Sequence, residues 1–305
     1  MGSYLESLKV DPELLVDGAS QVSRLKMYPY FDAAHYAMMC LAVREDLATG
    51  ATLFSRKHPL SCWLSSMLMC FAGHFLANFL LGEPVIEPFR RHDDLLLASV
   101  VWYFVFYSPF DLAYKLAKML PFKLALCVLK ETQRAYKVQA GVQHAFKLYP
   151  DAVVLVVLIG TVKGAGSGIM RTIEQLVRGV WMPTGNEILR PQFATKACLA
   201  ASLLLVAERK TTLLQGWPHE LVYLAVVGFL VYFKLSAILL NIHDPFAPFE
   251  NLFCAVCMGG IWDAMGRAVA ASRERRAGGP AAGGGAVPMS GPEPPAAHPE
   301  NKKEQ

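Results

Sequence analysis

The chain has 305 residues, of which 54% are hydrophobic and 18% are charged, and its mean hydropathy is +0.32. Soluble domains carry about 25% charged residues, so this composition favours an integral membrane protein. The formal net charge is only +4, and the sequence has neither a long basic block nor a nucleic-acid-binding motif, which argues against nucleic acid as a partner.

The polar residue types that carry catalysis or bind metals form no recognisable motif. All seven cysteines lie in apolar stretches, where we expect them to act as small hydrophobic residues. Cys254 and Cys257 have CxxC spacing without a second pair, so we predict no metal site. Asp32 and His35, three residues apart, are interpreted as an interfacial pair. No catalytic motif is present, and hence neither enzymatic activity nor a cofactor is expected.

Apolar segments recur along the chain, and a membrane-spanning helix needs about 20 residues. With their flanking residues, seven segments meet this length: 30–43, 60–81, 95–107, 122–146, 152–176, 193–207 and 221–240. An eighth segment, 249–265, is interrupted by glycines and an aspartate and is predicted to be a buried or interfacial helix. We therefore predict an all-α transmembrane domain over 1–270 and a disordered, Gly/Pro/Ala-rich tail over 271–305.

Proline and glycine positions suggest an internal repeat. Two pairs are 91 residues apart and a third is 92 apart, namely Pro59 and Pro150, Gly73 and Gly164, and Pro29 and Pro121. Because each repeat holds three spans, the second copy would be inverted relative to the first. The sequence thus predicts two inverted three-helix repeats plus a seventh helix, an arrangement typical of channels and transporters whose sites lie at interrupted helices.

Charged residues in the loops favour a cytoplasmic C-terminus. Lysine and arginine follow the first, third, fifth and seventh spans, whereas the basic pairs on the other side, Arg90-Arg91 and Arg209-Lys210, are accompanied by acids. The chain ends with Lys302 and Lys303 followed by two residues, which is similar to a dilysine signal for retrieval to the endoplasmic reticulum.

The fifth span contains a glycine-rich stretch with a lysine, Val162-Lys163-Gly164-Ala165-Gly166-Ser167-Gly168. In a helix each glycine costs about 1 kcal/mol relative to alanine, and a lysine at membrane depth costs roughly 2.5–3.5 kcal/mol. We therefore predict a helix break that faces protein or a water-filled cavity. The alternative is that the glycines allow close helix packing while Lys163 reaches an interface.

Basic side chains follow one face of the fourth span. Lys130 and Arg134 are four residues apart, and Lys123 and Lys137 lie seven residues before and after Lys130. Glu131 can neutralise Arg134, but the lysines remain uncompensated. This face is therefore expected to line an aqueous path or to bind a lipid phosphate.

Lys130-Glu131-x-x-Arg134, followed about thirty residues later by Lys163-Gly164-Ala165-Gly166-Ser167-Gly168, resembles the trimeric intracellular cation (TRIC) channel family. The resemblance extends over residues 1 to about 270 and looks strongest to the vertebrate type A members, although Thr132 stands where valine is expected. It implies a homotrimeric potassium channel of the endoplasmic or sarcoplasmic reticulum membrane, which supplies counter-ion current during calcium release. It also implies a bound inositol phospholipid, phosphatidylinositol 4,5-bisphosphate.

The residues expected at the lipid and in the pore follow from these motifs. The resemblance places the lipid contact at Lys130, Arg134, Gly164, Gly166 and Gly168. We expect a pore between the two glycine-containing spans, lined by Gly73, Ala77, Lys163, Gly164 and Ser167. Two other classes stay open: a secondary transporter with inverted repeats and broken helices, and a membrane lipid-handling enzyme or scramblase that uses Glu131.

Overall fold

The computed structural model describes residues 12–47, 50–180, 187, 189–211, 216–240 and 245–277. Within these ranges the regular structure is helical, which confirms the predicted all-α fold class. The α-helices are α1 Pro12–Ser23, α2 Tyr30–Asp46, α3 Ala51–Lys57, α4 Pro59–Leu81, α5 His92–Tyr107, α6 Leu112–Lys118, α7 Leu120–Leu148, α8 Val153–Val177, α9 Phe193–Lys210, α10 His219–Leu239, α11 Ala247–Cys257 and α12 Gly260–Ala277.

Each predicted span lies on one of these helices, namely α2, α4, α5, α7, α8, α9 or α10. Among the described residues, α4, α8 and α10 are individually long and apolar enough to cross a membrane. The number rises to five if the bent pairs α5–α6 and α11–α12 each count as one span. The remaining helices α2, α7 and α9 are shorter or more charged, so the complete seven-span arrangement stays a prediction.

The chain divides into two units, Met1–Ala247 and Pro248–Gln305. In the second unit the predicted segment 249–265 is covered by α11 and the start of α12, whose axes differ by 66°. Gly259, between them, has a positive φ of 83°, a conformation that glycine adopts without strain. Helix α12 continues to Ala277, and residues 278–305, which contain most of the predicted tail and the two terminal lysines, lie outside the described residues.

Two clusters of buried side chains form the core of the first unit. One is built mainly from α2, α4 and α5, and the other mainly from α7, α8, α9 and α10. Each predicted three-helix group therefore has a core of its own. Met170 of α8 belongs to the first cluster and Ala77 of α4 to the second, so these two helices connect the halves.

Helices α4 and α8 meet at glycines. A Cβ atom built at Gly73 would collide with the carbonyl oxygen of Lys163, and one built at Gly166 would lie 2.6 Å from the Cα atom of Gly73. Farther along α8, Gly160 lies against Val142 and Ser202 of the neighbouring helices. Small residues at these positions let the backbones approach as closely as they do in many membrane helix pairs.

The predicted helix break in the glycine-rich stretch is wrong. Helix α8 runs without interruption from Val153 to Val177, and α4 from Pro59 to Leu81. The glycines serve close packing instead, because tight contacts with α4, α7 and α9 offset their low helix propensity. The backbone N–H groups inside α8 are engaged in the helix, so they do not form the phosphate-binding half-helix expected at a break.

Alanine at Gly73 should destabilise the protein, because the backbone of α8 leaves no space for a methyl group. We expect Gly73→Ala to lower the free energy of unfolding by about 1–3 kcal/mol. Gly228→Ala on α10 is the control, since no residue that the structure describes lies within 4 Å of a Cβ atom there. That change should be neutral or stabilise the helix by up to about 1 kcal/mol. Thermal unfolding in detergent measures both, and equal melting temperatures would contradict the close contact.

Candidate functional site

A cavity of about 590 Å³ lies among α2, α4, α7 and α8 and is lined by charged and polar side chains together with apolar ones. The ionisable residues of its lining that carry charge or a ring nitrogen are Lys26, Asp32, His74, Glu87, Arg91, Asp94, Lys137 and Lys163. The exposed residues Lys26, Glu87 and Arg91 mark the mouth of the cavity, whereas Cys70 and Gln133, each only 1% exposed, mark its inner end. Charged groups at membrane depth are costly, and in membrane proteins they typically line a path for ions or solutes.

Asp32 lines the cavity and accepts a hydrogen bond that the sequence did not predict. The Nε2 group of Gln133 donates a hydrogen bond to the carboxylate of Asp32. His35 bonds instead to the carbonyl oxygen of Cys70, with 3.0 Å between Nε2 and the oxygen. The predicted interfacial pair of Asp32 and His35 is therefore wrong, because the two side chains turn to different neighbouring helices.

The predicted pore-lining residues are divided between the cavity and the helix packing. Lys163 lines the cavity, whereas Gly73, Ala77, Gly164 and Ser167 are absent from its lining. Gly73 touches the backbone of α8, and Ala77 is 1% exposed within the core. Close packing leaves no open space between the glycine faces. The cavity lies beside this contact, where longer side chains keep the helices apart.

Glycine also determines the path of the Lys163 side chain. A Cβ atom built at Gly141 of α7 would lie 3.1 Å from Cβ and 3.2 Å from Cδ of Lys163. The aliphatic part of the lysine thus passes over Gly141 on its way to the cavity. Lys137, one turn before Gly141, lines the same cavity. Two lysines from adjacent helices therefore contribute positive charge to the same cavity.

The residues predicted to contact lipid occupy different surroundings. Arg134 is 7% exposed, and its Nη1 atom lies 2.7 Å from Oε2 of Glu131, which is 0% exposed. Lys130 is half-buried, and Lys234 of α10 is close enough to act on it electrostatically. A Cβ atom at Gly164 would approach the Arg134 side chain at 3.6 Å. The structure thus brings Arg134 and Gly164 together.

The other two glycines of the predicted lipid set point elsewhere. Gly166 packs against α4, and a Cβ atom at Gly168 would lie 2.9 Å from the carboxylate of Glu187. Glu187 accepts hydrogen bonds from the backbone N–H of Gln192 at 2.8 Å and from the hydroxyl group of Thr195 at 2.6 Å. These contacts place Gly168 beside an acid and Gly166 inside the helix contact.

An ionic cluster joins the C-terminal ends of α2 and α8, and sequence reasoning missed it. Arg178 donates to Oδ2 of Asp46 at 2.7 Å and to the two carboxylate oxygens of Glu174 at 2.5 and 2.8 Å. Arg171 pairs with the same aspartate. The spacing of Arg171, Glu174 and Arg178 along one helix is a signal for such a cluster. Asp46, 132 positions from Arg178, has no such signal.

A charged cavity among helices, some of which are long and apolar enough to cross a membrane, is typical of helical membrane proteins that transport ions or solutes. The sequence matches the family described as TRIC channel over residues 48–241. The chain therefore belongs to the TRIC channel family.

Relatives in this family include both nematode and vertebrate proteins. "Trimeric intracellular cation channel type 1B.1" of Caenorhabditis elegans is 65% identical over 274 residues, which cover 90% of this chain and 92% of the relative. The type A channel of Mus musculus is 36% identical over 245 residues, 80% of this chain and 81% of the relative. The expected similarity to vertebrate type A is thus weaker than the similarity to the nematode type 1B protein.

Two solved structures share the fold. A trimeric intracellular cation channel from C. elegans with bound Ca²⁺ has a TM-score of 0.70 and 62% identity, and the match covers 76% of this chain and 100% of that one. A second structure, described as the basis for activity of TRIC counter-ion channels in calcium release, has a TM-score of 0.69 and 34% identity. That match covers 74% of this chain and 99% of that one.

Removing Glu131 alone should destabilise the protein, since it leaves the Arg134 guanidinium buried without its carboxylate. We expect Glu131→Leu to lower the free energy of unfolding by about 3–5 kcal/mol. Adding Arg134→Met should recover most of this loss, because both buried charges are then gone. Unfolding in detergent compares the two variants, and a double variant less stable than the single one would contradict the pairing.

Proposed function

We propose that this chain forms a homotrimeric potassium-permeable channel in the membrane of the endoplasmic or sarcoplasmic reticulum. It supplies counter-ion current during calcium release, and its seven spans leave the C-terminus in the cytoplasm. The observation that carries the proposal is the charged cavity among α2, α4, α7 and α8 in a chain of the TRIC channel family. The names of the relatives, trimeric intracellular cation channels, support the oligomeric state and the ion class.

The charge pattern of the cavity fits conduction rather than storage of an ion. Asp94 pairs with Arg91 at 3.2 Å, whereas Asp32 and Glu87 share the cavity with Lys137 and Lys163. Conduction requires binding that is favourable enough for entry and weak enough for exit. The lining holds three acids and four lysine or arginine side chains, so the acids offer a cation local contacts while the bases keep its binding weak.

Two alternatives from the sequence lose their support. A transporter with broken helices was suggested by the glycine-rich stretch, but α4 and α8 are continuous. A lipid-handling enzyme or scramblase needs an available acid at Glu131. That side chain is 0% exposed, and one of its oxygens accepts a hydrogen bond from Arg134 at 2.7 Å. The channel is therefore the better proposal.

We also propose that phosphatidylinositol 4,5-bisphosphate binds at Lys130 and Arg134, with Gly164 beside Arg134. Lys234 adds positive charge near Lys130, so this side of α7 has more bases than acids, as an inositol phosphate requires. Gly166 and Gly168 are left out of this proposed site, because Gly166 packs against Gly73 and Gly168 lies against the carboxylate of Glu187.

Recording of purified protein in a planar bilayer with a KCl gradient tests the channel. We expect current steps of constant size. The reversal potential should lie close to the potassium equilibrium potential, because the path is proposed to select cations over chloride. Saturable flux that depends on a second ion, without unitary steps, would indicate a transporter instead.

The same bilayers, with and without the inositol lipid, test the lipid site. We expect the lipid to raise the open probability of the wild-type channel. Lys130→Ala should need about tenfold more lipid for the same response, because it loses one charge-assisted contact with a phosphate. Lys147→Ala, at an exposed lysine near the other end of α7, is the control and should respond like wild type. Equal responses of both variants would place the lipid elsewhere.

A further inference from the structure

Two of the seven cysteines differ from the others in their surroundings. Five are buried, as expected for small hydrophobic residues, namely Cys40, Cys62, Cys70, Cys127 and Cys198. Cys254 and Cys257 of α11 are exposed. These two are three residues apart in one helix, so their thiols lie on the same side of it. The packing role predicted for all seven cysteines therefore applies to five of them, and the exposed pair has a different role.

The surface around the two thiols is apolar. Helix α11 has no buried side chain, and its residues Phe249, Leu252 and Val256 are 71%, 63% and 56% exposed. Trp262 of α12, in the same unit, is 72% exposed. Large exposed apolar patches mark interaction surfaces, and tryptophan is enriched where proteins meet the membrane interface. The second unit thus presents a surface suited to a lipid leaflet.

The length of α11 and its connection keep the two thiols near the membrane surface. Eleven residues make a helix about 16 Å long, roughly half the thickness of the hydrocarbon core, so α11 alone does not cross it. The 66° bend before α12 prevents the pair from forming one straight span. Residues 240–246 connect α11 to α10, which is long and apolar enough to cross a membrane. Such a connection reaches about 28 Å at most, so α11 begins within reach of the leaflet in which α10 ends.

We propose that Cys254 and Cys257 are S-acylation sites that carry long-chain fatty acyl groups, such as palmitoyl, in thioester linkage. Cysteines in helices next to a membrane span are typical acceptors of this modification. The thiol sulfur attacks the thioester carbonyl carbon of a long-chain acyl coenzyme A, and a membrane acyltransferase is the catalyst. The bond between that carbon and the sulfur of coenzyme A breaks, and the thiol proton passes to the released coenzyme A. The reaction consumes no oxidant.

The two acyl chains hold α11 against the membrane. A single chain gives only marginal, reversible membrane binding, whereas two chains anchor a segment stably. Because both thiols lie on one side of α11, both chains enter the same leaflet. Acyl coenzyme A is a cytoplasmic donor, so the modification rests on the proposed cytoplasmic C-terminus and not on conduction.

Acyl exchange on the full-length protein from cultured animal cells tests the modification. Free thiols are blocked with N-ethylmaleimide in SDS, thioesters are cleaved with neutral hydroxylamine, and the released thiols are coupled to a maleimide-linked polyethylene glycol. We expect the wild-type band to shift by two increments, the Cys254→Ala and Cys257→Ala bands by one each, and the band of the double variant by none. Cys62→Ala is the matched control, because Cys62 is 0% exposed, and it should shift like wild type.

A wild-type band that does not shift overturns the proposal, and so does a shift that the double variant retains. Labelling that needs a reductant instead of hydroxylamine indicates a disulfide and also overturns it. An epitope placed after Gln305, stained in cells whose plasma membrane alone is permeabilised, tests the topology separately. Lack of staining contradicts the cytoplasmic C-terminus and the acylation together, whereas staining without acylation overturns the acylation sites alone. Lack of potassium current from the wild type contradicts only the channel.

Discussion

The close approach of α4 and α8 at Gly73 and Gly166 is the contact on which the rest of the structure depends. It connects the two three-helix groups, each of which has a core of its own. It also determines where longer side chains can go. His74 directly follows Gly73, and Lys163 lies three positions before Gly166, so both have to point past the contact and into the adjacent cavity. Because the backbones of α4 and α8 touch at these glycines, the longer side chains next to the contact surround the charged cavity.

The sequence predicted the positions of the helices well, because apolar segments bounded by prolines and charged loops report burial directly. It was less informative about the glycine-rich stretch. Glycine is compatible with both a broken helix and a tightly packed one, and the sequence around Gly164 and Gly166 does not distinguish them. Tight packing rather than a broken helix depends on Gly73, which is distant in the chain. Its backbone occupies the space that a side chain on α8 would need.

The basic face of α7 shows a second limit of sequence reasoning. Helical spacing correctly placed Lys130, Arg134 and Lys137 on similar sides of the helix. Packing then separated them, since Lys137 enters the cavity while Arg134 pairs with Glu131 inside the bundle. Helix α7 contacts other helices on several sides. Side chains that differ by only a few tens of degrees around its axis therefore meet different neighbouring helices. Spacing alone therefore predicted charge in the interior, but not which charge lies beside water.

The ion path is proposed to run through the cavity among α2, α4, α7 and α8 and not along the glycine faces. Cysteine accessibility tests this most directly, in a background in which the cavity residue Cys70 is replaced by alanine. Ala140 lines the cavity, whereas Ala77 is 1% exposed in the core. A charged, water-soluble thiol reagent should block the current of Ala140→Cys and leave that of Ala77→Cys unchanged. Block of Ala77→Cys without block of Ala140→Cys would contradict the account and return the path to the contact between the two glycine-containing helices.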